Sequence, residues 1–420
     1  MNILLRSATI IDPQGKYHAK RCDILIKNGK IASIGSSVAA DKNTSVIALP
    51  NLHVSRGWFD SSVSFGEPGF EERETLKNGL FTAARSGFTD IALNPNTNPV
   101  ADSNTDMTFL KSKSADTPTK IHPVGALTVK GEGTDLAEMY DMKQAGAISF
   151  GDYKSPVRNP NLLKIALQYA QNFDALVQSF PLEKDISGKG VMNEEATAIA
   201  LGLKGIPALS EELQIARDLY ILEYTGGKLH IPTISTERSV DLIAAGKKKG
   251  LDVSCSVAIH NLFLTEEELK GFDTRYKVLP PLRTEKDRKA LLKGLKSGII
   301  DMVTTDHDPR DIERKKVEFD YADYGTIGLE SALGSLHKIL PLEDTIRILS
   351  SGRERFNIAA PAIEEGQIAN LTLFDPDKEY VFEKQHILSA SKNSAFLRKE
   401  MKGMVYGVIH GKHHEINPTT

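Results

Sequence analysis

The composition gives no support for disulfide bonds or membrane spans. Of the 420 residues only two are cysteines, Cys22 and Cys255, so neither a disulfide framework nor a cysteine metal site is predicted. No apolar run reaches the ~18 residues that a membrane helix needs. The N-terminal stretch also lacks the apolar core of a secretory signal. These absences predict a reduced, cytoplasmic protein.

An excess of one charge sign is also missing. The formal net charge is −3, from 52 basic and 55 acidic residues, and both signs are interspersed. Without a basic stripe or an acidic tail, neither nucleic acid nor a disordered charged segment is predicted. What is present is 40% apolar residues, enough for a sizeable core. The length fits one large barrel with a small appendage.

Both ends of the chain have the alternating apolar pattern of short strands. The segment "CDILIKNGKIASIG" alternates around Asn28 and Gly29, which predicts a hairpin. Near the C-terminus, "ANLTLFDPD", "EYVFE" and "GMVYGVIHGKHHE" are of the same kind. We therefore predict a small β-sandwich domain assembled from residues 1–54 and 356–420.

Between these ends, over residues 55–355, strand-like runs alternate with helical patterns. Helical stretches such as "SEELQIARDLYILEYTGG" and "EKDRKALLKGLKSG" separate apolar runs, and most strands are followed by a helix. This alternation predicts an α/β fold, a (β/α)8 TIM barrel. The predicted strands are 57–63, 89–94, 120–127, 145–151, 174–179, 228–234, 251–257 and 298–307.

Barrels of this kind carry their sites at the carboxyl ends of the strands. The first strand ends in "SSVS", which places Ser62 and Ser64 on the same side of the chain because i and i+2 share a face of a strand. "NPNTNP" follows the second strand. The other polar residues at predicted strand ends are Asp152, Ser179, Thr233, His260, Asn261, Asp306 and His307.

Several motifs in one order resemble the dihydroorotases of the amidohydrolase superfamily. They are "GEPGFEERET", "AARSGFTDIALNPNTNP", "LKGIPALSEELQIARD", "PPLRTEKDRKALLKGLKSGIIDMVTTDHDP", "GLESAL" and "NSAF", and together they cover nearly the whole chain. The resemblance implies a metal-dependent hydrolase barrel, a zinc cofactor and a role in pyrimidine biosynthesis.

At the metal positions the chain departs from the family pattern. The family has Asp-x-His-x-His-x-Arg-x-Pro-Gly after the first strand, where this chain has Asp60, Ser62, Ser64 and Gly66 in the first four named positions. The resemblance places the family's strand-five and strand-six histidines at Ser179 and Thr233. Asp152 and Asp306 are retained at family ligand positions. A hydroxyl is a weak zinc ligand and does not replace an imidazole, so no bound metal is expected.

The positions that contact substrate in the family differ as well. The family arginine corresponds to Gly66, the asparagine before Pro-Pro-Leu-Arg corresponds to Leu279, and the histidine after Asp-His-x-Pro corresponds to Arg310. Asn96 is retained, but its place in "NPNTNP" favours a turn-forming role, because Asn and Pro favour turns intrinsically. Asp306 corresponds to the family's general base, here either vestigial or a structural hydrogen-bond acceptor.

The resemblance and the departures together predict a pseudoenzyme, a dihydroorotase homologue with a structural or partner-binding role. The expected partners are a second copy of the chain, and aspartate carbamoyltransferase or another enzyme of the pyrimidine pathway. An active cyclic amidohydrolase that uses Asp152 and Asp306, with one weakly held metal, stays open as the alternative. A small-molecule sensor is a third interpretation.

The histidines of the chain have simpler interpretations. His230 and His260 are predicted to be satisfied core or rim residues, and His307 to be a local hydrogen-bond partner. The tail "HGKHHE", with His410, His413 and His414, is predicted to be a solvated strand, with adventitious metal binding as the alternative.

Overall fold

Strands from both ends of the chain pair in one sheet, and a barrel lies between them in sequence. The computed structural model describes residues 2–417. In chain order the strands are β1 (Asn2–Ile11), β2 (Arg21–Lys27), β3 (Lys30–Gly35), β4 (Ser45–Ile47), β5 (His53–Arg56), β6 (Trp58–Val63), β7 (Phe88–Leu93), β8 (Lys120–Gly125), β9 (Ser149–Phe150), β10 (Leu176–Gln178), β11 (Met192–Asn193), β12 (Gly205–Ile206), β13 (Lys228–Ile231), β14 (Val253–Ala258), β15 (Met302–Thr304), β16 (Asn370–Val381), β17 (Glu400–His410) and β18 (His413–Ile416).

The terminal sheet has the order β18-β17-β16-β5-β1-β2-β3, and β4 pairs with β1. The predicted hairpin joins β2 to β3, where Asn28 has φ 50° and Gly29 has φ 81°, the left-handed pair that a two-residue hairpin turn requires. The predicted domain boundary at residue 54 falls within β5, which pairs with β1 and β16. The last three residues of the predicted C-terminal part, 418–420, lie outside the described residues.

The central strands form a parallel sheet of eight, in the order β15-β14-β13-β10-β9-β8-β7-β6. A parallel bridge between Val63 and His307 brings the first and last strands together, which confirms the predicted (β/α)8 barrel. All residues of β6, β7 and β14 are buried, as expected where helices cover one face and the barrel interior the other.

Helices cover the barrel, and capping side chains mark where several of them begin. Thr284 and Asp287 form a capping box at the start of one helix, as do Ser103 and Asp106 at another, each satisfying backbone amides that the first turn leaves free. The helices are α1 (Leu76–Arg85), α2 (Asn104–Lys113), α3 (Met139–Ala145), α4 (Pro160–Ala170), α5 (Lys184–Ser187), α6 (Ala196–Leu201), α7 (Ala208–Thr225), α8 (Glu237–Lys248), α9 (Ile259–Phe263), α10 (Glu285–Lys296), α11 (Ile312–Lys315), α12 (Ala332–Ile339) and α13 (Leu342–Ser350). Across residues 2–417, none of the helices combines the length and the apolar character that crossing a bilayer requires.

Asp60 ties the first barrel strand to the last. Its carboxylate accepts hydrogen bonds from the Thr304 hydroxyl at 2.5 Å and from the Thr305 amide at 3.1 Å. Burial raises the pKa of Asp60 to about 6, although these donors oppose the shift. The carboxylate therefore holds the ends of β6 and β15 side by side, and this contact positions the residues that follow both strands.

Candidate functional site

Asp306, just after β15, lies at the centre of a polar cluster at the carboxyl ends of the barrel strands. The residue is 2% exposed. Its carboxylate accepts hydrogen bonds from the Ser62 hydroxyl at 3.3 Å and from the Tyr153 hydroxyl at 3.4 Å. The Lys154 ammonium lies 2.8 Å from its other oxygen. The φ of Asp306 is 47°, a conformation that non-glycine residues adopt rarely and often at functional sites.

Lys154 supplies the positive charge of this cluster. Besides Asp306, its ammonium lies 3.4 Å from a carboxylate oxygen of Asp308. Burial alone would lower the pKa of Lys154, but the two carboxylates raise it above its ordinary value, so the ammonium is charged at neutral pH. Tyr153, with φ 54°, precedes it in the turn after β9. The sequence analysis did not predict this role for Lys154.

Arg310 extends the charged cluster outward. Its guanidinium donates to Asp308 at 3.0 Å and lies 3.5 Å from Asp323. Burial would raise the pKa of Asp308, but Arg310 and then Lys154 hold it below its ordinary value. Two cations and two buried carboxylates thus alternate in the order Asp306, Lys154, Asp308, Arg310, and the charges balance within the cluster.

The serines after the first strand meet two asparagines after the second. The Asn94 amide donates to the Ser62 hydroxyl at 3.0 Å and to the Ser64 hydroxyl at 3.3 Å. The Ser64 hydroxyl donates to the side-chain oxygen of Asn96 at 2.9 Å. The structure therefore brings Ser62, Ser64 and Asn96 to the same region as Asp306. Neutral hydrogen bonds join the serines and asparagines, and the Ser62 hydroxyl connects them to the Asp306 carboxylate.

The side chains of Asp152 and Ser179 form hydrogen bonds with residues other than Asp306. The Asp152 carboxylate accepts from the Leu127 amide at 2.9 Å, and from the Thr128 amide at 3.0 Å and hydroxyl at 2.6 Å, which fixes the loop after β8. The Ser179 hydroxyl donates to Asp218 of α7 at 2.6 Å. Both residues lie at strand ends as predicted, but their polar atoms are engaged with neighbouring loops and helices.

Two further predicted site residues are held by local structure. The Thr233 amide donates to the Ser256 hydroxyl at 3.1 Å, and its φ is 51°. Leu279, which is 9% exposed, packs in an apolar cluster with Phe180 and Ile206. The Leu279 side chain is therefore part of an apolar cluster and supplies no hydrogen-bonding group.

Gly66 lies in a turn that leaves no space for a side chain. Its amide donates to the Glu74 carbonyl at 2.9 Å, and its carbonyl accepts from the Phe70 amide at 3.0 Å. A Cβ atom at this position would lie 1.7 Å from the Phe70 carbonyl oxygen. The loop 66–74 as folded therefore cannot accommodate an arginine at position 66.

Three buried histidines differ in how their ring nitrogens are used. His230 bonds the Ser254 hydroxyl at 2.9 Å, as a satisfied core residue should. His307 accepts from the Gly328 amide at 3.2 Å through Nδ1. Neither ring nitrogen of His260 has a partner among residues 2–417, so the prediction that it is satisfied was wrong. Burial, and then the charge of Lys154, lower the pKa of His260 to about 3.

Known proteins resemble this chain over its full length. The family described as "Dihydro-orotase-like" matches residues 53–239. A dihydroorotase from Pelotomaculum thermopropionicum is 39% identical, covering 98% of this chain and 97% of the relative. One from Geotalea daltonii is 36% identical, covering 98% and 99%. This chain belongs to the dihydroorotase family. The resemblance inferred from its motifs is thereby confirmed.

Solved structures with the same fold are more distant in sequence. An L-hydantoinase (dihydropyrimidinase) from Arthrobacter aurescens superposes with a TM-score of 0.85 at 20% identity, covering 99% of this chain and 97% of that one. A dihydropyrimidinase from Brevibacillus agri gives a TM-score of 0.81 at 19% identity, covering 100% and 96%. These structures support the barrel fold.

The donors at the predicted ligand positions do not fit the zinc centre that the resemblance implies. Ser62, Ser64, Ser179 and Thr233 offer neutral hydroxyls, which bind zinc weakly. Asp306 is paired with an ammonium and Asp152 with loop amides. Within residues 2–417, no group of three or more histidine, cysteine, aspartate or glutamate side chains is arranged to hold a metal ion.

Proposed function

We propose that this protein is a non-catalytic member of the dihydroorotase family that serves pyrimidine biosynthesis through association with another protein. The observation that carries the proposal is the ion pair between Lys154 and Asp306. The resemblance assigns Asp306 to the general base and metal ligand of active relatives. In this protein the Lys154 ammonium, 2.8 Å away, supplies the positive charge next to the Asp306 carboxylate.

The family reaction needs a metal-bound hydroxide to attack a cyclic amide carbonyl. A metal lowers the pKa of water from about 15.7 to about 7, and an ammonium group has no open coordination position for a water molecule. Lys154 can therefore balance the charge of Asp306 without producing a nucleophile. The turn at Gly66 also excludes an arginine that would grip a substrate carboxylate. Hydroxide generation, carbonyl polarisation and carboxylate recognition are then all missing.

The alternative, a hydrolase that uses Asp152 and Asp306 together, is less well supported. Within residues 2–417, the three hydrogen bonds that the Asp152 carboxylate accepts come from residues 127–128. To act with Asp306 it would have to give up these donors, and the loop after β8 would lose its anchor. The contacts of Asp152 thus favour a structural role.

For the partner, we keep the two candidates that the sequence predicts: a second copy of the chain, and aspartate carbamoyltransferase or another enzyme of the pathway. A non-catalytic barrel in that role would act by contributing surface and stability to an assembly. Cytoplasmic location stays a prediction.

The test is turnover of dihydroorotate, and the reverse synthesis from carbamoyl aspartate, by purified protein with and without added zinc. We expect no turnover, because each missing contribution is worth several kcal/mol and ~1.4 kcal/mol corresponds to tenfold in rate. The P. thermopropionicum relative, assayed in parallel, is the positive control. Turnover by the wild type that disappears in Asp306→Ala would overturn the proposal and favour the hydrolase.

A further inference from the structure

A cavity of about 560 Å³ lies where the segment after β15 meets the segment that follows β16. Its volume is within the range of ~300–1,000 Å³ typical of small-molecule sites. Two acidic side chains, Glu72 and Asp311, contribute to its walls. The walls carry six basic side chains, those of Arg275, Arg310, Lys315, Lys316, Lys384 and Lys392.

Two of these cations have no partner of their own. The ammonium groups of Lys316 and Lys384 form no ion pair or hydrogen bond with any residue in 2–417. Two other lysines donate to backbone carbonyls. The Lys392 ammonium lies 2.6 Å from the Ser389 carbonyl, and the Lys315 ammonium lies 2.9 Å from the Asp323 carbonyl. Burial lowers the pKa of Lys315 to about 7, so this lysine is only partly charged at neutral pH. Arg275 is paired with Asp273 and Arg310 with Asp308. The uncompensated positive charge of the cavity therefore comes from Lys316, Lys384 and Lys392.

Two arginines next to the cavity have unused donors. Arg310 lines it, and its Nε is buried without a hydrogen-bond acceptor among the described residues. Arg73 lies close to Arg310, is stacked on the Phe70 ring at 3.9 Å, and also has a buried Nε without a hydrogen-bond acceptor in residues 2–417. Burial lowers the pKa of Arg73, and the charge of Arg310 lowers it further. Arg310 is paired with Asp308, and the Arg73 Nε lies 3.7 Å from a Glu72 carboxylate oxygen. These arginines therefore offer an anion unused N–H donors and not uncompensated charge.

We propose that this cationic cavity binds a phosphorylated small molecule through its phosphoryl group. A phosphoryl group carries about −1.5 to −2 charges and three strong acceptor oxygens, which matches the excess of cations better than a single carboxylate does. Arginine forks suit phosphate oxygens geometrically. Arg310 lines this cavity and Asp306 does not. Binding of a ligand here therefore does not depend on whether the protein catalyses a reaction at Asp306.

Calorimetric titration with inorganic pyrophosphate tests the proposal, in buffer free of divalent cations and at constant ionic strength. Wild type should bind pyrophosphate more tightly than succinate. The double variant Lys316→Gln/Lys384→Gln should weaken pyrophosphate binding at least ~10-fold. Both lysines are exposed, so the variant should fold normally.

The matched control is Lys248→Gln/Lys293→Gln, which removes two exposed lysines from α8 and α10. It should bind pyrophosphate as the wild type does. Equal weakening in both double variants would show a general electrostatic effect and overturn the proposal. So would succinate binding as tight as pyrophosphate binding, or no detectable pyrophosphate binding. Because binding is the readout, these results are independent of whether the protein hydrolyses dihydroorotate.

Discussion

Removing the Lys154 ammonium should destabilise the protein strongly, because it leaves a buried carboxylate without its ion-pair partner. In Lys154→Met, Asp306 keeps only its hydroxyl donors although it is 2% exposed, and Asp308 keeps only Arg310 as a close cation. Lys154 lies 2.8 Å from Asp306 and its side chain is 12% exposed, so solvent compensates little. Breaking a buried ion pair by removing one partner costs about 3–5 kcal/mol. We expect a loss of that size at pH 7.

Urea unfolding at pH 7, followed by circular dichroism, measures this loss. The double variant Lys154→Met/Asp306→Asn should be more stable than the sum of the two single changes predicts, because it leaves no unpaired carboxylate at position 306. Lys249→Met, which breaks an exposed ion pair with Glu223, is the control and should leave the unfolding midpoint almost unchanged. A loss of less than ~1 kcal/mol in Lys154→Met, or additivity in the double variant, would refute the ion-pair account.

Three further changes test other parts of the site. Gly66→Ala should lower the melting temperature, because its Cβ would overlap the Phe70 carbonyl oxygen at 1.7 Å; an unchanged melting temperature would show that the turn opens easily. Asp152→Ala should cost about 3 kcal/mol in urea unfolding, because it leaves two buried amides and a hydroxyl in residues 127–128 without their acceptor; a loss under ~1 kcal/mol would contradict this. His260, with a pKa of about 3 when folded and 6.5 in its ordinary state, contributes stability that is present above about pH 6.5 and lost as the pH falls toward 3. His260→Gln should therefore gain about 2 kcal/mol relative to wild type between pH 8 and pH 5, and parallel pH profiles would refute it.

The barrel was predictable because its signal is repeated many times along the chain. Each of the eight predicted strands overlaps an observed one, and 120–127 and 228–234 begin at the same residues as β8 and β13. Apolar runs bounded by turn residues and followed by amphipathic helices give this pattern directly. The terminal sheet was predictable for a similar reason, since alternation on both sides of Asn28 and Gly29 specifies the hairpin.

The hydrogen bonds and ion pairs of the site were harder to predict, because they depend on the direction in which each side chain points. Ser179 lies at a strand end as expected, yet its hydroxyl reaches Asp218 on a covering helix, and strand position alone does not determine that direction. Lys154 reaches Asp306 across more than a hundred residues of sequence, from a turn in which Tyr153 has positive φ. The available signal in the sequence was Lys154 itself, a basic residue two positions after the retained Asp152, and it was not used.

Zinc binding tests the central claim most directly. Untagged protein is washed with chelator, dialysed against zinc and then zinc-free buffer, and analysed for metal, alongside Asp306→Asn and His413→Gln/His414→Gln. If Lys154 and the hydroxyl residues have replaced the metal centre, the wild type should retain well under about one zinc ion per chain, and any retained zinc should disappear with the tail histidines. About two zinc ions per chain, lost in Asp306→Asn and kept in the tail variant, would contradict the account.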